Sequence, residues 1–187
     1  MVIIMGRNEK RIKSISLERL NHLASINVKK NTVRMFEALS IILAILSFVT
    51  LAQHGMSVLR EVRMHKIVFV LHVFLGINIV VFIHELGHIL LALTKKIHIL
   101  SLNVYVKGPM LLLNLDYIGS ASSKTEMREF FAGGILINLC FSGLCAILFN
   151  ITGYMFFALL MSLSLADSII NSFPIPGTDG YRIITLH

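Results

Sequence analysis

The sequence predicts an α-helical polytopic membrane protein with about four transmembrane helices and a short β-hairpin or re-entrant segment between the second and third. The first observation is composition: of the 187 residues, 56% are hydrophobic and 14% are charged. The mean hydropathy of +0.80 lies well outside the range of soluble domains. The second is a set of four apolar runs, each near the roughly 20 residues that a spanning helix requires. The third is a β-rich stretch, too short to span a bilayer, between the second and third runs.

The first element is a basic segment, residues 1–34, that we expect in the cytoplasm or on the membrane surface. It contains eight Lys and Arg residues and two Glu residues. A surface helix from Ile12 to Leu23, lying on anionic lipid, and a solvated tail are both compatible with this pattern. The net charge of +7 would suit a nucleic-acid partner. The basic residues instead flank apolar runs and lack interleaved aromatic residues, so we expect no nucleic-acid partner.

The membrane-embedded domain is predicted to cover residues 35–187, with its core at 67–187. The stretch from Ser101 to Leu115 is rich in β-branched and aromatic residues and is broken at Lys107-Gly108-Pro109, which is typical of a hairpin. The position of this break predicts two strands, at 102–107 and 110–115. The four apolar runs lie at 35–52, 67–94, 128–150 and 153–173.

The distribution of positive charge predicts the orientation in the membrane. If the amino terminus is inside, 14 of the 17 Lys and Arg residues lie on the inner side. Loops rich in Lys and Arg stay in the cytoplasm. We therefore expect an integral protein of the plasma membrane with both termini in the cytoplasm.

An H-E-x-x-H motif, His84-Glu85-Leu86-Gly87-His88, lies in the second apolar run. Residues four apart share one face of a helix, so His84 and His88 can bind one metal ion with Glu85 beside them. An ionisable side chain near the bilayer centre costs about 2.5 kcal/mol or more, so a bound metal explains their presence. His84 lies roughly 25 Å along a helix that starts near residue 67, which places the site toward the cytoplasmic leaflet.

The third metal ligand has to come from a distant part of the chain. Asp167, within the fourth run, and Asp179, after it, are the two main candidates. Asp179 follows two prolines and a glycine, and broken helices at membrane depth occur where the backbone lines a site. The remaining acidic residues near the inner side stand at the ends of apolar runs, where we expect solvated or interfacial positions: Asp116, Glu126 and Glu129.

The order of three motifs resembles the site-2 protease family of intramembrane zinc metalloproteases, and specifically its small bacterial-type members. The first motif is His84–His88, and the second, Gly134–Asn138, is similar to the G-P-x-x-N motif of that family. The third matches N-x-x-P-x-P-x-x-D-G at Asn171, Pro174, Pro176, Asp179 and Gly180. Two positions depart from the family pattern, since Ile135 replaces a common Pro and Tyr181 a frequent second Gly.

The resemblance implies a zinc endopeptidase that holds one Zn²⁺ per chain. His84, His88 and Asp179 would be the ligands and Glu85 the general base. The substrate would be a membrane-anchored protein or peptide. Without a PDZ-like or sensor domain in the sequence, gating would come from the membrane core, the basic segment or a regulatory membrane partner. Three residues would line the substrate path: Gly134, Asn138 and Asn171.

Other interpretations stay open at this level. Asn138 and Asn171 would equally serve as interhelical hydrogen-bonding residues. A protease of the gluzincin type would take Glu126 or Glu129 as third ligand. A non-catalytic metal-binding membrane protein or a metal transporter would use the same histidines but would have no role for Glu85.

Overall fold

The computed structural model describes residues 10–16, 30–64, 66–95, 97–107, 110–118 and 123–186. Within these ranges the chain forms five helices and three strands. In chain order they are β1 (Lys10–Ser16), α1 (Lys30–Met64), α2 (Lys66–Lys95), β2 (His98–Lys107), β3 (Met110–Ile118), α3 (Lys124–Thr152), α4 (Met155–Ser172) and α5 (Asp179–Thr185).

Four helices are long and apolar enough to cross a membrane, as the sequence predicts. The spanning segments are Thr32–Gly55 within α1 and the whole of α2, α3 and α4. Large apolar side chains on α1 and α2 are exposed on the outside of the bundle, including Ile42, Phe48, Ile67 and Leu71. Such an outer surface suits lipid and would be unfavourable in water. The fold is therefore consistent with an integral membrane protein.

Helix α3 is the centre of the bundle and packs against α1, α2 and α4. The contact with α1 uses small and polar residues, which allow close approach and interhelical hydrogen bonds in lipid. Gly143 lies directly against Leu43. Three polar pairs cross this interface: Ser40 with Cys140, Ser47 with Ser142, and Asn150 with Thr50.

The predicted hairpin between the second and third spanning helices is confirmed as β2 and β3, which pair antiparallel from His98–Ile118 to Lys107–Met110. The sheet also contains β1, in the order β1-β2-β3. The predicted surface helix from Ile12 to Leu23 is wrong over residues 12–16, because this segment is a strand that pairs antiparallel with β2. Residues 17–23 lie outside the described residues.

The sheet is fixed to one end of the bundle by a hydrophobic cluster. Ile97 and Ile99 are fully buried there against Ala92 of α2 and against Phe130 and Phe131 of α3. Helix α3 starts at this end with a capping box, in which Ser123 and Glu126 satisfy each other's backbone amides. The last turns of α2 and α4 and the first turns of α3 meet beside the sheet, where the candidate site lies.

Candidate metal centre

The two histidines of the motif belong to the buried face of α2. Buried residues of this helix include Val80, His84, Gly87, His88 and Leu91, which follow the spacing of one helical stripe. His84 is 8% exposed and His88 is 5% exposed. Both imidazoles therefore point into the protein and away from lipid.

Asp179 reaches the histidines because the chain turns back after α4. Helix α4 ends at Ser172, and Pro174 after it cannot continue the helix. Gly177 has φ 103°, a conformation that favours glycine. Thr178 then caps α5 by accepting a hydrogen bond from the amide of Tyr181, and Asp179 is the first residue of that helix.

Gly180 explains why a glycine follows the aspartate. A Cβ at this position would overlap the carbonyl oxygens of Ser172 and Phe173 at the end of α4. Only a residue without a side chain lets α5 fold back this closely. The Asp179-Gly180 pair thus combines the ligand with the close contact that positions it.

The three predicted ligands converge on one point. His84 Nε2 lies 2.8 Å from Asp179 Oδ2, and His88 Nε2 lies 3.1 Å from the same oxygen. The two Nε2 atoms are 3.2 Å apart. Among the described residues these three form the one group of His, Cys, Asp or Glu side chains whose ligand atoms could hold a metal ion, and all three are buried.

Hydrogen bonds on the far sides of the rings fix which nitrogen faces the centre. His88 Nδ1 lies 2.9 Å from the carbonyl oxygen of Phe130, which can only accept. His88 Nδ1 therefore carries the hydrogen, and its Nε2 lone pair points to His84 and Asp179. Two imidazole nitrogens and a carboxylate oxygen that face one point are ligand types of metal ions in proteins, so the donor set fits a metal ion.

The outer nitrogen of His84 faces a carboxylate. His84 Nδ1 lies 3.1 Å from Asp167 Oδ2. The same oxygen accepts hydrogen bonds from the amide groups of Asn138 at 2.7 Å and Asn171 at 3.1 Å. Asp167, the rival third ligand in the sequence, lies outside the group of candidate ligands, contacts one of its members and lines the same cavity.

Gly134 provides the space that the His84 ring occupies. A Cβ at this position would overlap the ring, with His84 Cδ2 at 2.8 Å and two other ring atoms closer still. Asn138, one turn further along α3, is completely buried. The substrate-contact role of Gly134 and Asn138 stays a prediction, and the contacts that the structure gives them are with His84 and Asp167.

A cavity of about 270 Å³ opens beside the candidate ligands. Glu85 lines it together with His84, His88 and Asp179, so the predicted general base and the ligands share one chamber. Asn171 also lines it, whereas Gly134 and Asn138 do not. The opposite wall comes from β3, whose alternate residues Leu113, Leu115 and Tyr117 face the cavity.

Arg182 is a cavity residue that sequence reasoning missed. Its Nη1 lies 3.8 Å from Asp179 Oδ1, beyond hydrogen-bond distance. Its guanidinium carbon lies 5.4 Å from the centre of the Phe131 ring, and its buried Nε has no hydrogen-bond partner. The signal in the sequence was the spacing of three from Asp179, which puts both residues on one face of α5.

The electrostatics of the cavity wall follow from burial and neighbouring charges. Burial favours the neutral form of Asp179, but hydrogen bonds and positive charge from His84 and His88 in their protonated forms outweigh it and hold its pKa below the usual value. Burial raises the pKa of the Tyr117 hydroxyl, so this group stays protonated. The cavity therefore presents an ionised aspartate and a neutral phenol to anything that enters it.

The other acidic candidates have separate roles. Glu126 caps α3, Glu129 pairs with Lys95, and Asp116 accepts hydrogen bonds from Ser101 and Asn103 within the sheet. None belongs to the group of ligands found among the described residues. The gluzincin-type arrangement, with Glu126 or Glu129 as third ligand, therefore has no support in the geometry.

Comparison of the chain with protein-family models, with curated proteins and with solved structures finds no match in any of the three sets.

Proposed function

We propose that the chain is an intramembrane zinc metalloprotease, which hydrolyses a peptide bond in or near the transmembrane segment of a membrane-anchored protein or peptide. One observation carries the proposal. A buried His84, His88 and Asp179 group and the carboxylate Glu85 line the same cavity, at one end of a bundle of helices long enough to span a membrane. This is the donor set and the additional base that metal-assisted hydrolysis requires.

Zinc fits this donor set. Two ligand atoms at about 2.05 Å from a tetrahedral ion are about 3.3 Å apart. The observed separations of 2.8, 3.1 and 3.2 Å are close to that value. Two imidazoles and one carboxylate leave a fourth position open, as in catalytic rather than structural zinc sites. Zinc bound there would act as a Lewis acid and would activate water at neutral pH.

Glu85 is the residue that we assign to proton transfer. It follows a ligand directly and lines the cavity, but it is outside the group of ligand atoms. Its carboxylate would take a proton as the water oxygen attacks the peptide carbonyl carbon. It would then deliver that proton to the amide nitrogen as the C–N bond breaks.

Arg182 supplies positive charge where negative charge develops. As the peptide carbonyl is attacked, its oxygen gains negative charge, and a preorganised donor stabilises the transition state more than the substrate. Arg182 lines the cavity beside Asp179, and its Nε has no hydrogen-bond partner. We assign the carbonyl oxygen of the bound peptide to this side of the cavity.

Strand β3 offers a binding edge for an unwound substrate. The sequence predicts two strands in this part of the chain, at 102–107 and 110–115. Residues 101–106 of β2 pair with β1 on one side, and β2 pairs with β3 on the other, so β2 is the central strand. Among the described strands β3 has only β2 as partner, and its alternate residues line the cavity. An extended segment added to β3 would run past Glu85.

The positive-charge distribution supports a cytoplasmic orientation of this end of the bundle. The basic strand β1 and the carboxyl-terminal helix α5 both lie at the end that carries the site. In the plasma membrane this arrangement would place cleavage at the cytoplasmic leaflet. Membrane peptides released there would enter the cytoplasm.

The test compares wild type with Glu85→Gln in cells and after purification. Zinc content should be equal, because glutamine leaves the three ligands in place. Quantitative analysis of the membrane fraction should show peptides that are cut with wild type and stay intact with Glu85→Gln. Equal cleavage patterns in the two strains would refute the protease mechanism, as would a wild-type protein that binds no zinc.

A metal transporter is the alternative that this experiment also addresses. Transport needs several sites along a path, and the described residues show one group of ligands. Vesicles containing the wild-type protein should show no zinc uptake above that of empty vesicles. Uptake that depends on His84 would replace the protease by a transporter.

A further inference from the structure

Asp167 links three helices beside the metal centre and lines the cavity. It belongs to α4, and its Oδ2 contacts one histidine and two amides from three helices: His84 of α2, Asn138 of α3 and Asn171 of α4. An ionisable group is expensive inside a membrane bundle unless it is paired. The contacts with His84, Asn138 and Asn171 supply this pairing.

The direction of the contacts shows what the carboxylate can do. Asn138 and Asn171 donate to it through their Nδ2 atoms at 2.7 and 3.1 Å, which holds it in place. Asp167 Oδ2 accepts from both amides, and a hydrogen on His84 Nδ1 would be donated to the same oxygen. The lone pair of His84 is then on Nε2, which faces His88 and Asp179.

The two histidines differ in the partner behind them. His88 Nδ1 donates to the neutral backbone carbonyl of Phe130, whereas His84 Nδ1 donates to a charged side chain. A carboxylate behind an imidazole orients the ring and increases the basicity of the other nitrogen. The strength of His84 as a ligand therefore depends on a side chain that a substitution can change, whereas the partner of His88 is a backbone group.

We propose that Asp167 is a positioning residue, which keeps the Nε2 lone pair of His84 directed at the metal and strengthens it as a ligand. Asn138 and Asn171 hold the carboxylate at the correct place. The inference rests on the metal-binding part of the proposed function and is independent of which reaction the metal supports. It also assigns to Asn138, which is completely buried, a role that needs no contact with substrate.

The decisive variant is Asp167→Asn, which keeps the size of the side chain and removes its charge. Zinc affinity of purified protein is measured by competition with a chromophoric chelator. The variant should bind zinc about 10- to 100-fold more weakly than wild type, the usual effect of removing such an outer partner. With cobalt in place of zinc, its visible absorption bands should shift while three protein ligands remain.

The matched control is Asp116→Asn. Asp116 also accepts hydrogen bonds from two neighbouring side chains, Ser101 and Asn103, but lies in the sheet and outside the group of ligands. Its zinc affinity should equal that of wild type. Far-UV circular dichroism and a thermal melt of each variant identify any general loss of structure.

The outcomes separate this inference from the proposed function. Equal zinc affinity of wild type and Asp167→Asn overturns the positioning role and leaves the protease proposal intact. A cobalt spectrum that shows one ligand fewer identifies Asp167 as a ligand and also overturns it. Absence of zinc binding by wild type refutes both proposals. An equal loss of affinity in Asp116→Asn assigns the effect to folding and overturns the inference.

Discussion

The substitution Gly134→Ala tests whether the shape of the site, and not only its ligands, determines metal binding. Gly134 belongs to α3 and faces the His84 ring directly. A Cβ there would lie 2.8 Å from His84 Cδ2, whereas ordinary contacts begin at 3.4 Å. The ring or the helix must therefore move by at least about 0.6 Å, from 2.8 to 3.4 Å.

A displacement of this size is large for a metal ligand. Functional side chains have to stay within about 0.5 Å of their productive positions, and a misplacement of about 1 Å costs about 10²-fold in rate. We expect Gly134→Ala to lower zinc affinity about 10- to 100-fold and to lower kcat/KM on any cleaved substrate at least as much. Chelator competition measures the first quantity, and the rate of cleavage of a substrate found by comparing membrane fractions measures the second.

Gly143→Ala is the control, because Gly143 is on the same helix and is equally crowded. Its added Cβ would overlap Leu43 of α1, which is not one of the candidate ligands. This variant should lose stability but keep its zinc affinity. Wild-type zinc affinity in Gly134→Ala would refute the steric argument, and an equal loss in both variants would show that general misfolding explains the effect.

Three further predictions follow from contacts in the same structure. Arg182→Met should lower kcat about 10²-fold with zinc still bound, because a donor to the developing negative charge is lost, and normal turnover would contradict this role. On acidification zinc should leave with a midpoint above about pH 4, the usual pKa of Asp, because the imidazoles protonate while the lowered pKa of Asp179 keeps it ionised. A chromophoric chelator follows this release, and a lower midpoint would contradict it. Thr50→Val should destabilise the bundle by about 0.6 kcal/mol by removing the hydrogen bond from Asn150, as measured by unfolding in detergent. A stability equal to wild type would show that this bond contributes nothing.

The spanning helices and the candidate ligands were predictable because local patterns determine them. Long apolar runs have one stable arrangement in lipid, and His84 and His88 share a face through helical spacing alone. The prolines and glycines around Asp179, which end α4 and allow the chain to return, make it a candidate beside Asp167, and the family resemblance favours Asp179. Each of these signals is local in sequence.

Strand β1 could not be predicted in the same way. Lys10–Ser16 contains only two large apolar residues, Ile12 and Ile15, and its strand conformation comes from pairing with β2, about 90 residues later in the chain. Such pairing is long-range and leaves little trace in local propensity. The sequence of this basic segment therefore predicts a surface helix or a tail.

The role of the residues behind the ligands also required the structure. Asn171 follows Asp167 by four residues, so their contact on α4 could have been inferred from helical spacing. Their connection to His84 depends on how α2, α3 and α4 pack, which no residue spacing in the sequence predicts. The role of Gly134 also required the structure. The sequence motif contains this glycine but does not show that the His84 ring occupies the space beside it.

The contact between Gly87 and Gly133 separates the candidate ligands into two groups. The two histidines belong to the joined helices α2 and α3, and Asp179 belongs to α5. A Cβ at either glycine would overlap the backbone of the other, so the backbones of α2 and α3 touch here with no side chain between them. Close-packed backbones have no rotamer change available to absorb a displacement. His84, His88 and the Phe130 carbonyl all lie within about a turn of this contact and behave as one body. Asp179 reaches that pair of helices from outside it, through the exposed 173–177 turn and the packing of α5 against α3 and α4. The ligand set is thus completed only when the end of the chain folds back onto the bundle.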